Sequence, residues 1–163
     1  MKTAYPPAKM DTAHTIVTAS VFLLLVFFVV LAVAMPLKPM WGATALVAVV
    51  IAISWQMRPA RYEVSDEAVR IVRAWPFKSI EIPKAEIKDV RPVTFTWKTL
   101  RTCGVGGLFG SGGWFWNKEI GRFFVAMTNG HSLVLIENGG KFVISPDDPD
   151  RFVQEFKSAA GLS

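Results

Sequence analysis

The stretch with the most chemical character runs from Thr96 to Gly121. Seven glycines between Gly104 and Gly121 are interleaved with Leu108, Phe109, Trp114, Phe115 and Trp116, and Lys98, Arg101, Lys118 and Arg122 flank them. Glycine admits backbone shapes that other residues resist, while the rings need burial against something. Phosphate cradling is one chemistry such a stretch suggests. The sequence lacks a Gly-Lys-Ser/Thr ending, and Gly104-Val105-Gly106-Gly107-Leu108-Phe109 departs from the dinucleotide pattern at its last position and has no βαβ context, so nucleotide binding is set aside. Three readings stay open. The rings dip into a membrane interface while the cations meet lipid phosphates; they dock on a partner protein, where Trp and Arg recur as anchors; or they pack on the chain's own sheet.

No other constellation supports catalysis or metal binding. Ser145-Pro146-Asp147-Asp148-Pro149-Asp150 has neither the glycine nor the terminal glutamate of a helix-loop-helix calcium site and reads as a helix start. His14 and His131 are far apart in sequence, and His131 follows a turn signal, which fits a solvated side chain rather than a ligand or base. Cys103, the single cysteine, has no evident activating partner and reads as a small buried thiol. It excludes an internal disulfide and agrees with a reducing compartment. No catalytic residue, cofactor, metal or small-molecule substrate is assigned, and the chain reads as a non-enzyme; an enzyme with an unrecognised site is the alternative.

The elements that must position the glycine-rich stretch begin with two apolar segments. Thr12 to Leu37 carries no formal charge, and its length exceeds the roughly 20 residues a spanning helix needs. Pro39 to Met57 is also charge-free and spans about 28 Å as a helix. Between them, Pro36 and Pro39 end one helix and restart the next, because proline lacks a backbone donor and restrains its predecessor. The expectation is a transmembrane helical hairpin over 14–57, with a tail at 1–13 and a domain at 58–163. Lys38 alone marks the closed end, whereas Lys2, Lys9, Arg58, Arg61, Arg70 and Arg73 mark the open end. The positive-inside bias therefore puts both termini in the cytoplasm of a bacterial inner membrane. Trp41, Trp55, Arg58 and Arg61 are the expected interface anchors. Ala32-Val33-Ala34 has the look of a cleavage site, but the apolar run before it is too long for a signal peptide. Thr18, Ser20 and Thr44 are expected to bond to nearby backbone. Neither segment holds a central ionisable residue, which argues against a transporter.

The 163 residues carry a net charge of +5, concentrated between Arg58 and Arg122, where 12 cations face seven acids. This suits a domain lying on an anionic leaflet and is also what the positive-inside bias alone would leave. Without a basic run or a recognition helix, nucleic acid is not an expected partner.

Beyond the hairpin, Arg61–Ser65, Ala68–Trp75 and Lys78–Ile82 read as strands, and Ala85–Val93 as a helical turn leading into another. Phe123–Thr128, Ser132–Glu137 and Lys141–Ser145, separated by Asn129-Gly130 and Asn138-Gly139-Gly140, predict a three-strand antiparallel meander. Asp148 caps a last helix whose apolar stripe is Phe152, Val153, Phe156, Ala159 and Ala160. The start Arg101-Thr102-Cys103-Gly104, the Gly113-Trp114-Phe115-Trp116 run and the end Ser145-Pro146-Asp147-Asp148-Pro149-Asp150-Arg151-Phe152 resemble the bacterial PH-like domains found behind short membrane hairpins. The resemblance implies a two-helix hairpin followed by a mainly-β PH-like barrel, about seven antiparallel strands with a C-terminal α-helix, and carries over no catalytic residue. The resulting expectation is a scaffold or accessory subunit bound to membrane lipids and to other integral membrane subunits. Its site would be Lys98, Arg101, Trp114, Phe115, Trp116, Lys118 and Arg122, and the alternative is a sensor of anionic headgroups.

Overall fold

The computed structural model describes residues 3–35, 38–73, 78–95 and 99–160. Helices α1 (Thr12–Ala34) and α2 (Lys38–Met57) are both long and apolar enough to cross a membrane. Pro36 and Leu37, in their connector, lie outside the described residues. Among the described residues, every exposed large hydrophobic side chain belongs to the stretch 10–55 except Leu100, Trp114 and Trp116. A helix pair apolar all round is suited to lipid rather than water.

The residues before α1 do more than lead into it. Strand β1 (Thr3–Tyr5) pairs antiparallel with β2 (Pro59–Val64), which pairs with β3 (Ala68–Arg73) and then β4 (Ile80–Pro83). The continuation of β3 expected at Ala74 and Trp75 falls outside the described residues. Val69 and Ile71 face inward with Tyr62 and Ile82, and Arg70 faces outward toward Glu81. A 3-10 turn (Lys84–Glu86) leads into β5 (Asp89–Val93), as the sequence suggested.

A six-stranded sheet follows in the order β5-β9-β10-β8-β7-β6, built from β6 (Leu100–Gly106), β7 (Ser111–Asn117), β8 (Gly121–Met127), β9 (Leu133–Glu137) and β10 (Lys141–Ile144). The glycine-rich excursion is thus a strand pair rather than a loop. The strand after Phe123 is not the first member of a simple meander either. β10 lies between β9 and β8, antiparallel to the first and parallel to the second. Asn129 and Gly130 do not adopt the positive φ that a two-residue hairpin needs, whereas Gly139, in the turn that does close a hairpin, has φ +87°. Asn129 instead spends its side chain on His131 N–H and on the Lys9 carbonyl.

Alternation along the six-stranded sheet makes both its faces apolar. Ala126, Val134, Ile136 and Ile144 pack with Tyr62, Ile71 and Ile82 of the first sheet and with Phe152 and Phe156 of helix α3 (Pro149–Ala160). Phe123, Val125, Leu135 and Val143 form a second cluster, covered by Phe95 and Ile120. The sheets do not close into a barrel; they form a sandwich with α3 across its core. Asp148 starts α3 by accepting from Arg151 N–H at 3.0 Å, and Phe152 and Phe156 are fully buried. The side chains of Ala159 and Ala160, the end of the expected stripe, lie outside the described residues.

Candidate membrane-proximal joint and aromatic patch

Residues 6–11 form a strap that ties α1 to the domain. Pro7 bridges Pro146, Ala8 N–H donates to the Ser145 carbonyl at 2.8 Å, and the Thr128 hydroxyl donates to the Ala8 carbonyl at 2.5 Å. Ser145 is the buried hub, accepting from Thr128 N–H and donating its own N–H to the Tyr62 hydroxyl. Burial pushes that phenol up to about 12, against the opposing effect of Ser145.

At the end of the strap, Asp11 works three ways. One carboxylate oxygen caps α1 at His14 N–H, the same oxygen lies 2.7 Å from His14 Nδ1, and the other accepts from Gly130 N–H at 2.9 Å. Burial alone would raise this carboxyl; the two backbone amides and the His14 ring outweigh it and hold the group below the usual carboxylate range. His14 Nε2 then lies 3.1 Å from Ser111 Oγ, at the start of β7. A carboxylate can only accept, so Nδ1 carries the proton on that side, and Nε2 shares a hydrogen bond with the serine hydroxyl.

One turn further along α1, the Thr18 hydroxyl accepts from Phe109 N–H at 3.1 Å. His14, Thr18 and Phe22 fall at i, i+4 and i+8, one stripe of α1, and that stripe faces the turn between β6 and β7. At that turn Phe109 has φ +56° and is 4% exposed, with its ring edge-on to Phe22 and to Trp55 at centroid distances of 6.1 and 4.9 Å. A non-glycine residue in this conformation carries strain of order 1 kcal/mol or more, offset here by wedging the ring between the two helices. Arg58 completes the corner by stacking on Trp55 at 3.5 Å, and burial lowers it from its ordinary value.

Asp11, His14 and Ser111 thus stand in the order of an acid–base–nucleophile relay. The space beside Ser111, bounded by Ser54, Met57, Arg58 and Leu108, is about 10 Å³, which is about one water and no acyl group. Its chemistry is that of a hydrogen-bonded joint that fixes α1 on the sheet.

The expected site residues divide between the faces of β7 and its neighbours. Trp114 and Trp116 are exposed on one face, Phe115 is buried on the other against Phe123, and the two tryptophans share their face with Leu100, which lies opposite Trp116 in β6. Arg122 lies opposite Trp116 in β8 and stacks on Trp114 at 4.6 Å, and Phe124 supports Trp114 edge-on at 5.5 Å. Leu100, Trp114, Trp116 and Arg122 make an exposed patch. Trp114 and Trp116 stand about 10 and 17 Å along the strand from Ser111, where β7 meets α1. Arg101 lies opposite Phe115, on the other face, and Lys118 is exposed after β7, so the described cations do not converge on one headgroup. Lys98 lies outside the described residues. Trp41 is exposed at the far end of α2, Trp55 at the near end, and Arg61 pairs with the buried Glu63 at 2.6 Å. Cys103 is exposed, against the expectation of a buried thiol, because it shares the open face of Trp114. Among the described residues no group of His, Cys, Asp and Glu is placed to hold a metal.

Asp11 and Ser111 have no expected role in the sequence, and His14 and Thr18 depart from theirs: His14 is buried between Asp11 and Ser111 rather than solvated, and Thr18 accepts from the distant Phe109 amide rather than bonding to nearby backbone. Spacing i, i+4 puts His14 and Thr18 on one face of α1, but Thr12, Thr15 and Ser20 are polar as well, so residue type alone does not single that face out. Residues 60–160 match the family model described as bacterial PH domain. No curated protein and no solved structure matches the chain.

Proposed function

This chain belongs to the bacterial PH domain family, and we propose that it is a non-enzymatic interaction module whose docking surface is the patch of Leu100, Trp114, Trp116 and Arg122. A PH-type domain behind two apolar helices fits a membrane-associated protein. The observation that carries the docking role is that, among the described residues outside 10–55, the exposed large apolar side chains are confined to that patch. Tryptophan and arginine in contact, over a supporting phenylalanine, are the residue types that anchor protein interfaces. The strap and the Phe109 wedge support a rigid mounting, so that the patch is held at a fixed height beside the membrane for another membrane subunit. The cation bias at the open end of the hairpin supports a cytoplasmic domain.

The test is co-purification in mild detergent with the double variant Trp114→Ala/Trp116→Ala beside the wild type. A stoichiometric membrane subunit retained by the wild type and lost from a variant that melts normally is the expected result. A wild-type chain that runs alone, or a partner held equally by both forms, overturns the docking role.

A further inference from the structure

The wedge that Phe109 drives between α1 and α2 leaves a groove of about 310 Å³, walled by Phe22, Leu25, Ile51 and Trp55. Its lining is apolar apart from Gln56, and it lies within the helix pair, so a filler must be apolar along its length. Arg58 does not line the groove but adjoins it through Trp55, on whose ring it stacks, and it also borders the small space beside Ser111; among the described residues no carboxylate forms an ion pair with it. Arg61, three residues on, differs in having its carboxylate at hand in Glu63. A planar guanidinium, half-withdrawn from water on an indole face, keeps its charge and its fork of donors and is matched by a phosphate.

We propose that the groove seats one anionic phospholipid, an acyl chain lying against Phe109, Phe22, Leu25 and Ile51 and the headgroup phosphate on Arg58. The inference rests on the reading that the helix pair lies in a bilayer. Charge complementarity selects the occupant: a second copy of this chain would bring another Arg58 to the first, while an anionic lipid brings the missing negative charge. The two halves of the seat come from different elements. The wedge residue belongs to the β6–β7 turn, so the bound lipid touches both the hairpin and the domain, and the strained backbone at Phe109 has a function in shaping the seat.

The full chain is reconstituted in bilayers of equal phosphatidylglycerol and phosphatidylcholine, with a diazirine analogue of leucine at Leu25 in the groove or at Leu23, which is 71% exposed on the outer surface. Expected are lipid adducts at both positions, with phosphatidylglycerol enriched about fivefold at the first and present at its bulk share at the second, an enrichment of the size one cation near a headgroup supplies. Arg58→Gln removes the enrichment and Arg61→Gln leaves it. Adducts at both positions in bulk proportion overturn the seat while leaving the hairpin in the membrane; enrichment lost equally with either arginine reduces it to diffuse surface charge and overturns it too. A protein adduct at Leu25 assigns the groove to another helix and overturns the lipid seat. No lipid adduct at either position removes the membrane reading itself. Because the enrichment is read in the wild-type arginine background, the result stands even where Arg58→Gln fails to fold.

Discussion

Asp11 concentrates three jobs in one side chain: helix cap, partner of His14 and acceptor for the Gly130 amide. Replacement by alanine loses the cap, worth about 1 kcal/mol, and leaves the half-buried Gly130 amide short of a partner at a further cost of up to about 1 kcal/mol. The milder change Asp11→Asn keeps an acceptor but not the charge, and so separates the two effects. Because the folded carboxyl is held below its ordinary value, its contribution to stability is fully present above the unfolded value of about 3.9 and is lost as pH falls through the lower folded value. The difference in thermal midpoint between wild type and Asp11→Asn in detergent should therefore shrink as pH is lowered from about 5 to about 2; a difference that stays constant or widens contradicts the assignment. Ser111 calls for a different measurement. With about 10 Å³ beside it, its hydroxyl should resist a fluorophosphonate probe, and Ser111→Ala should cost only the net worth of one hydrogen bond, about 1 kcal/mol. Covalent labelling of Ser111 in the folded chain would instead make the relay an active site. None of this was visible from residue types alone, because Asp11 and Ser111 lie far apart in sequence and only the strap and the β6–β7 turn bring them together.

The β6–β7 pair shows why an element can be hidden in a sequence. Glycine is depleted in strands because it has no side chain to pack, so a run holding Gly104, Gly106, Gly107, Gly110, Gly112 and Gly113 reads as a loop. The strands form because Gly104 and Gly113 face each other with φ near +137° and +135°, and a Cβ on either would sit 2.3 Å from a carbonyl oxygen of the facing strand. Gly113→Ala should cost about 3 kcal/mol, since backbone cannot yield as a flexible side chain would. Gly139→Ala, at φ +87° with nothing within 4 Å of the added atom, should cost about 1 kcal/mol, the conformational term alone. Thermal melting of the two variants side by side checks this, and equal losses would mean that the close approach at Gly113 is not rigid. The Trp114-Phe115-Trp116 alternation was legible as period two once strand was granted, and it gives the exposed, buried, exposed order observed. The β9–β10 hairpin and α3 were legible for the opposite reason: Asn138-Gly139, Asp148 and the Phe152–Phe156 spacing are local signals with local consequences. The insertion of β10 beside β8 was not, because it depends on the strap occupying Asn129 and Gly130, a contact between the two ends of the chain.

At the scale of the whole molecule, the pairing of β1 with β2 and the strap across Ser145 make residues 3–11 part of the same folded unit as residues 58–160. Both open ends of the helix pair therefore lie against one body, and a chain threaded through a bilayer can place that body on one side only, with both crossings made or neither. Proline and charge placement suggested the hairpin; the strand pairing gives it a mechanical reason, since separating the amino-terminal segment from the domain would strip β2 of its neighbour and expose Tyr62. The side itself is testable with what the chain already carries. Cys103 is the single cysteine and is exposed on β6, so a membrane-impermeant maleimide reports the location of the sheet without any added label. With the cytoplasmic orientation, intact cells should leave Cys103 unlabelled, whereas inverted membrane vesicles should label it fully, and Cys103→Ser should abolish the signal in both. Labelling of intact cells at the level reached after detergent permeabilisation would place the patch of Trp114 and Trp116 outside the cytoplasm, and the partner sought for it would then have to be an extracytoplasmic one.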